Sequence, residues 1–86
     1  MDVQWNQDAQ KTFDAVIGNL PQFHRSIAEQ LVKQKAENLA AARTAKSVEN
    51  TDVVIAFFQE VPPAFKDMMK RLMSQQGIEY EKYINE

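Results

Sequence analysis

The chain has 86 residues, with 12 acidic and 10 basic side chains, one histidine, a formal net charge of -2 and no cysteine. Disulfides, thiolate metal sites, iron–sulfur ligation by this chain and cysteine nucleophiles are thereby excluded, and the charge offers no bulk attraction to nucleic acid or an anionic membrane. Two glycines and three prolines are too few turn residues for a β-rich fold.

Met1-Asp2-Val3-Gln4 lacks the basic patch and apolar run of a signal peptide. No apolar run approaches the ~18 residues that span a bilayer. A cytoplasmic location and no membrane contact are therefore expected.

Met1 to Trp5 reads as extended. Asn6 is placed to cap a helix with Asp8 in its first turn, where a carboxylate suits the positive helix end. Ala9, Phe13, Val16, Ile17 and Leu20 then recur at helical spacing, and Gly18-Asn19 suit a left-handed C-terminal cap. This predicts a helix over 7–18. Pro21 makes the corner, because it disfavours helix at Leu20 yet fits the first turn of the next helix.

From Gln22 to Lys46 there is no Gly or Pro, and Ala, Leu, Gln, Glu and Lys predominate. The prediction is one helix over 22–46, about seven turns and roughly 37 Å long. Phe23, Ile27, Ala28, Leu31, Val32, Ala36, Leu39, Ala40 and Ala42 fill more than half of its circumference, so it reads as a central rod with neighbours on two sides. Glu29, Lys33 and Glu37 form a solvated ion-pair ladder. Arg43 and Lys46 fall in the expected last turn, where positive charge meets unpaired carbonyls.

Asn50 or Thr51 is placed to cap a third helix over 51–60, with Val53, Val54, Phe57, Phe58 and Val61 on its apolar side. Val61-Pro62-Pro63 ends it. A fourth helix over 63–76 carries Phe65, Met68, Met69, Leu72 and Met73, and Gly77 is its expected cap, with Ile78 in the apolar position of a Schellman motif. In the tail, 78–86, Tyr80, Tyr83 and Ile84 are spaced for a short docking helix. Residues 1–86 therefore predict a single all-α domain: a small orthogonal helical bundle with one long central helix, laid out helix, long helix, helix, plus a C-terminal helix.

Chemistry-bearing patterns are sparse. His24 and Lys35 project into the apolar arc of the long helix, but no second histidine exists to complete a metal or acid–base site. The acidic residues show no cation-loop or ExxH spacing, and no phosphate loop or nucleophile elbow occurs. No cofactor, metal or self-contained catalytic centre is expected. Phe57, Phe58, Met69 and Tyr80 are candidates for an apolar surface that takes a protein partner or a planar apolar ligand, the methionine adding plasticity. Arg25, Arg43 and Lys46 are the candidate anion or nucleic-acid contacts, with Arg25 and Arg43 about 27 Å apart along one line of the helix.

Trp5 with Ala9 and Phe13, the corner Leu20-Pro21-Gln22-Phe23-His24-Arg25, then Ala36-Glu37 and Ala40, and finally Val48 to Val53 together resemble the small C-terminal domain of light-independent protochlorophyllide reductase and its stand-alone short relatives. The resemblance covers about residues 5 to 58. It implies a helical accessory module of a nitrogenase-like, tetrapyrrole-reducing system, without catalytic machinery, since cluster ligands and reducing centre belong to that family's large domains. A second likeness, through Val48-Glu49-Asn50-Thr51-Asp52-Val53, is to the link and helix start of archaeal histones.

The expectation is a non-catalytic accessory or interaction module that meets a protein partner or another copy of itself. The alternative is a weak histone-like nucleic-acid-binding dimer, which the charge balance disfavours.

Overall fold

In the computed structural model, which describes residues 4–83, the chain starts with a two-residue strand, β1 (Gln4–Trp5). It continues through α1 (Gln7–Asn19), α2 (Gln22–Ala42), β2 (Ser47–Val48), α3 (Asn50–Glu60) and α4 (Lys66–Gln75). A 3₁₀ turn at Pro63–Phe65 leads into α4, and another at Tyr80–Lys82 follows it. The order helix, long helix, helix, C-terminal helix is that of an all-α bundle. Of the extended start, Met1 to Val3 lie outside the described residues, as does Ile84 of the expected tail helix.

Asn6 caps α1 as its side chain predicts, accepting a hydrogen bond from the Asp8 N–H at 2.8 Å. The other end differs from expectation. Gly18 does not take the left-handed conformation, which among the described residues falls to Thr44 and Gly77. Helix α1 runs on to Asn19 and closes on Leu20, whose N–H reaches the Ile17 carbonyl at 3.2 Å.

Helix α2 has no break but stops at Ala42, four residues short of the expected 46. Ala45 N–H donates to the Ala40 carbonyl at 2.9 Å and Thr44 N–H to that of Ala41 at 3.0 Å, the Schellman pair, with Thr44 at φ 55°. A non-glycine residue in this position gave no warning in the sequence. At the end of α4 the warning was present: Gly77 is left-handed at φ 75°, and Ile78 N–H donates to Met73 O at 2.8 Å.

The freed chain after α2 lays β2 parallel to β1, pairing Gln4 with Ser47 and Trp5 with Val48. Helix α3 then starts at Asn50 with Glu49, rather than Asn50 or Thr51, as N-cap.

Burial is distributed unevenly over the long helix. Only Val32, Ala36 and Ala40 are buried on α2, which packs principally against α3. The short α3 is the helix that is surrounded: it meets α1, α2 and α4, and Val53, Val54, Ala56 and Phe57 are fully enclosed. Helix α4 adds Met69 and Met73 to this core while lying against α1 and α3. Among the described residues, no helix is long and apolar enough to cross a membrane.

Candidate interaction surface

The four residues expected to form an apolar binding surface are mostly inside. Phe57 and Met69 are fully buried and Phe58 nearly so. Phe57 meets Phe13 with ring centroids 5.8 Å apart, and Phe13 in turn takes Trp5 edge-on at 5.2 Å. Tyr80 is half-buried and lies on Phe58 at 5.6 Å, closing the core instead of opening it. The cause is simple. The helical spacing of these side chains is the spacing of a core stripe, and α3 is covered on every apolar side.

Two of the three candidate anion contacts, Arg25 and Arg43, are engaged elsewhere. The Arg25 guanidinium donates through Nη2 to the carbonyls of Gly18 at 3.1 Å and Leu20 at 3.2 Å, so it caps the end of α1 from the first turns of α2. Its Nε is buried with no acceptor among the described residues. Arg43 forks onto Asp52, Nε to Oδ1 at 3.0 Å and Nη2 to Oδ2 at 2.6 Å, and lies 3.5 Å from Glu49. Donating to the Asp52 carboxylate raises the Arg43 pKa above its ordinary value. Asp52 is 2% exposed and also accepts the Glu49 N–H at 2.9 Å, which ties the α2–α3 connection to the first turn of α3. Lys46 stands exposed in that connection, away from a helical last turn. Arg25 and Arg43 are thus structural.

Two further polar pairs bind the fold and were not foreseen. Trp5 Nε1 donates to Glu37 Oε2 at 3.0 Å, which fixes β1 on the middle of α2, and Thr12 Oγ1 donates to Asn50 Oδ1 at 2.9 Å between α1 and α3. Both join residues more than thirty positions apart, so no local pattern signals them.

What the fold leaves uncovered is the outer side of α2. Phe23 is 76% exposed, Ile27 60% and Leu31 43%. They stand four residues apart, one above another along a single row. At about 100° per residue, Phe23, Ile27, Gln30, Leu31, Gln34 and Asn38 share an arc opposite Val32, Ala36 and Ala40. All six are exposed, and none is charged.

This row borders a cleft of about 200 Å³ between α2 and the α3–α4 corner, lined by Leu20, Pro21, His24, Ile27, Ala28, Leu31, Glu60, Val61, Pro62 and Phe65. His24 is half-buried there, its ring 4.4 Å from that of Phe23 and edge-on to Phe65 at 4.9 Å. It therefore serves as part of an aromatic wall. Lys35 is half-buried on the same helix.

Two other depressions are polar and open. One, of about 350 Å³, lies among α1, the end of α4 and the tail and includes Asp8, Lys11, Asn50, Glu79 and Lys82. Lys82 pairs with Glu79 at 2.9 Å, which raises the lysine pKa. Among the described residues, no three His, Asp or Glu side chains gather as metal ligands.

The fold and this surface define a class: a small all-α bundle whose long helix has one face in the core and one apolar face in solvent. Comparison with protein-family models, characterised proteins and solved structures finds no match to the chain.

Proposed function

We propose that the chain is a non-catalytic accessory module that holds a protein partner on the outer face of α2. The observation that carries this reading is the exposure of Phe23, Ile27 and Leu31 in one uncharged row beside an apolar cleft. Full burial of a large apolar side chain is worth about 1.5 to 3 kcal/mol, of which Phe23, Ile27 and Leu31, at 76%, 60% and 43% exposed, forgo a part that a partner's surface would recover. The cleft is smaller than the roughly 300 to 1,000 Å³ of small-molecule sites. It suits an inserted side chain better than a planar tetrapyrrole.

The resemblance of Trp5, Ala9 and Phe13, of Leu20 to Arg25, of Ala36-Glu37 and Ala40 and of Val48 to Val53 to the small domain of light-independent protochlorophyllide reductase gives the partner a class. It is a large subunit of a nitrogenase-like, tetrapyrrole-reducing complex. The corner of this pattern, Leu20 to Arg25, includes Phe23 and adjoins the cleft.

Isothermal titration of the chain into purified large subunits of such a reductase, and separately against a metal-free porphyrin, tests the reading. Heat of binding to a subunit, lost in Ile27→Glu, is expected. Absence of heat with every subunit, or binding to porphyrin that Ile27→Glu leaves intact, would overturn it.

A further inference from the structure

The cleft beside the exposed row is apolar on every wall but one. Among the described residues that line it, Glu60 is the one acid, none is a lysine or arginine, and His24 and Phe65 supply aromatic rings. Glu60 is half-buried, and among the described residues its carboxylate meets no hydrogen-bond donor and no cation.

This carboxylate also stands where a helix tolerates an anion least. Glu60 is the last residue of α3, at the negative end of the helix, and the last turn holds no basic residue. Val61 N–H closes on the Phe57 carbonyl at 3.0 Å, but the next two positions are Pro62 and Pro63, which have no N–H to offer the carbonyls of Phe58 and Gln59. Carboxylate and helix end therefore add to one negative potential at the rim of an apolar cleft. Local chemistry at odds with the fold is expected at functional sites.

We infer that the cleft is a socket for an arginine side chain of a protein partner. The methylene stem lies along Ile27, Ala28 and Val61, the planar guanidinium forks onto Glu60, and Phe65 and His24 offer it rings to stack on. A wholly apolar anchor would cover the carboxylate without pairing it, and an acidic one would set like charge against like, so the cleft selects against both. Lysine, a compact and strongly hydrated charge, suits the aromatic wall less well. This rests on the reading of the outer face of α2 as the partner's seat, and it names the residue that the partner places beside that face.

The test uses n-butylguanidinium, with 1-butanol and pentanoate for comparison, titrated into the isotopically labelled chain and followed by nuclear magnetic resonance. Saturable shifts at His24, Ile27, Ala28, Val61 and Phe65 are expected with butylguanidinium, at a dissociation constant on the order of 10 mM. Binding should be about three- to tenfold tighter than that of butanol, and pentanoate should not bind. Glu60→Gln keeps the shape of the rim and should bring butylguanidinium down to the level of butanol. Because it removes an anion from a helix C-terminus, it should not lower Tm.

Butylguanidinium that binds no tighter than butanol, or a preference for it that survives Glu60→Gln, would overturn the socket. In calorimetry with a reductase subunit, Glu60→Gln should weaken binding by about the same three- to tenfold. Subunit binding lost in Ile27→Glu but untouched by Glu60→Gln removes the socket and leaves the interaction surface standing. A cleft that prefers butylguanidinium while no subunit binds keeps the socket and overturns the choice of partner.

Discussion

Replacing Thr44 by glycine should make the protein more stable. Thr44 holds φ 55° at the end of α2, where its Cβ crowds the backbone, a cost of roughly 1 to 2 kcal/mol for a residue with a side chain. Glycine removes that cost but gives the unfolded chain more freedom, worth roughly 0.5 to 1 kcal/mol in the other direction. It also removes the exposed hydroxyl contact to the Arg43 carbonyl, a few tenths at most by the usual worth of a solvent-exposed hydrogen bond. The net gain is about 0.2 to 0.8 kcal/mol. With an unfolding entropy of roughly 0.18 kcal/mol per kelvin for a chain of 86 residues, that is a rise in Tm of about 1 to 4 °C. Thermal unfolding followed by far-UV circular dichroism reads it. Thr44→Ala keeps a Cβ in the left-handed position and should leave Tm nearly unchanged, so the difference between the two variants isolates the backbone conformation. If glycine gave no more than alanine, α2 would not end in the left-handed cap described, and the account of why it stops at Ala42 would be wrong.

Other perturbations probe the remaining joints. Asp52→Ala removes a buried carboxylate that accepts three N–H groups, and a loss of about 2 to 3 kcal/mol in urea unfolding is expected; a loss under about 0.5 would remove the role assigned to it. Trp5→Phe gives up the bond to Glu37 at an unchanged aromatic contact with Phe13. It should cost about 1 kcal/mol, and amide exchange at Asn6, whose N–H donates to Val48 O at 2.9 Å, should quicken. Exchange no faster than in the wild type would show that β1 is held without that bond. The pair Phe23→Gln with Ile27→Gln should shift the unfolding free energy of the dilute protein by no more than about 0.5 kcal/mol, because both side chains face solvent. A larger loss would place them in the core.

The helices were legible because their signals are local. Asn6, Pro21, Gly77 with Ile78, and the Pro62-Pro63 stop each act within a few residues, and each performs in the structure the part its chemistry suggests. The end of α2 was not legible, since a threonine in the left-handed position carries no advance mark and Ala45 and Lys46 are themselves compatible with helix. The surface was misread for a related reason. Periodicity tells that Phe23, Ile27 and Leu31 share one row and Val32, Ala36 and Ala40 another, but not which row a neighbour covers. The same spacing made Phe57, Phe58 and Met69 read as a surface when they are core. Arg25 and Arg43 looked available because their acceptors, two carbonyls of α1 and a carboxylate of α3, are brought to them only by the turns between helices.

The outer face of α2 as the working surface is most directly tested by nuclear magnetic resonance of the isotopically labelled chain, titrated with unlabelled large subunits of a protochlorophyllide-reductase-type complex. The account predicts shifts gathered on residues 20–31 and 60–65, with Tyr80 to Tyr83 unmoved. No perturbation with any subunit, or perturbation confined to the Tyr80 side of the molecule, would contradict it.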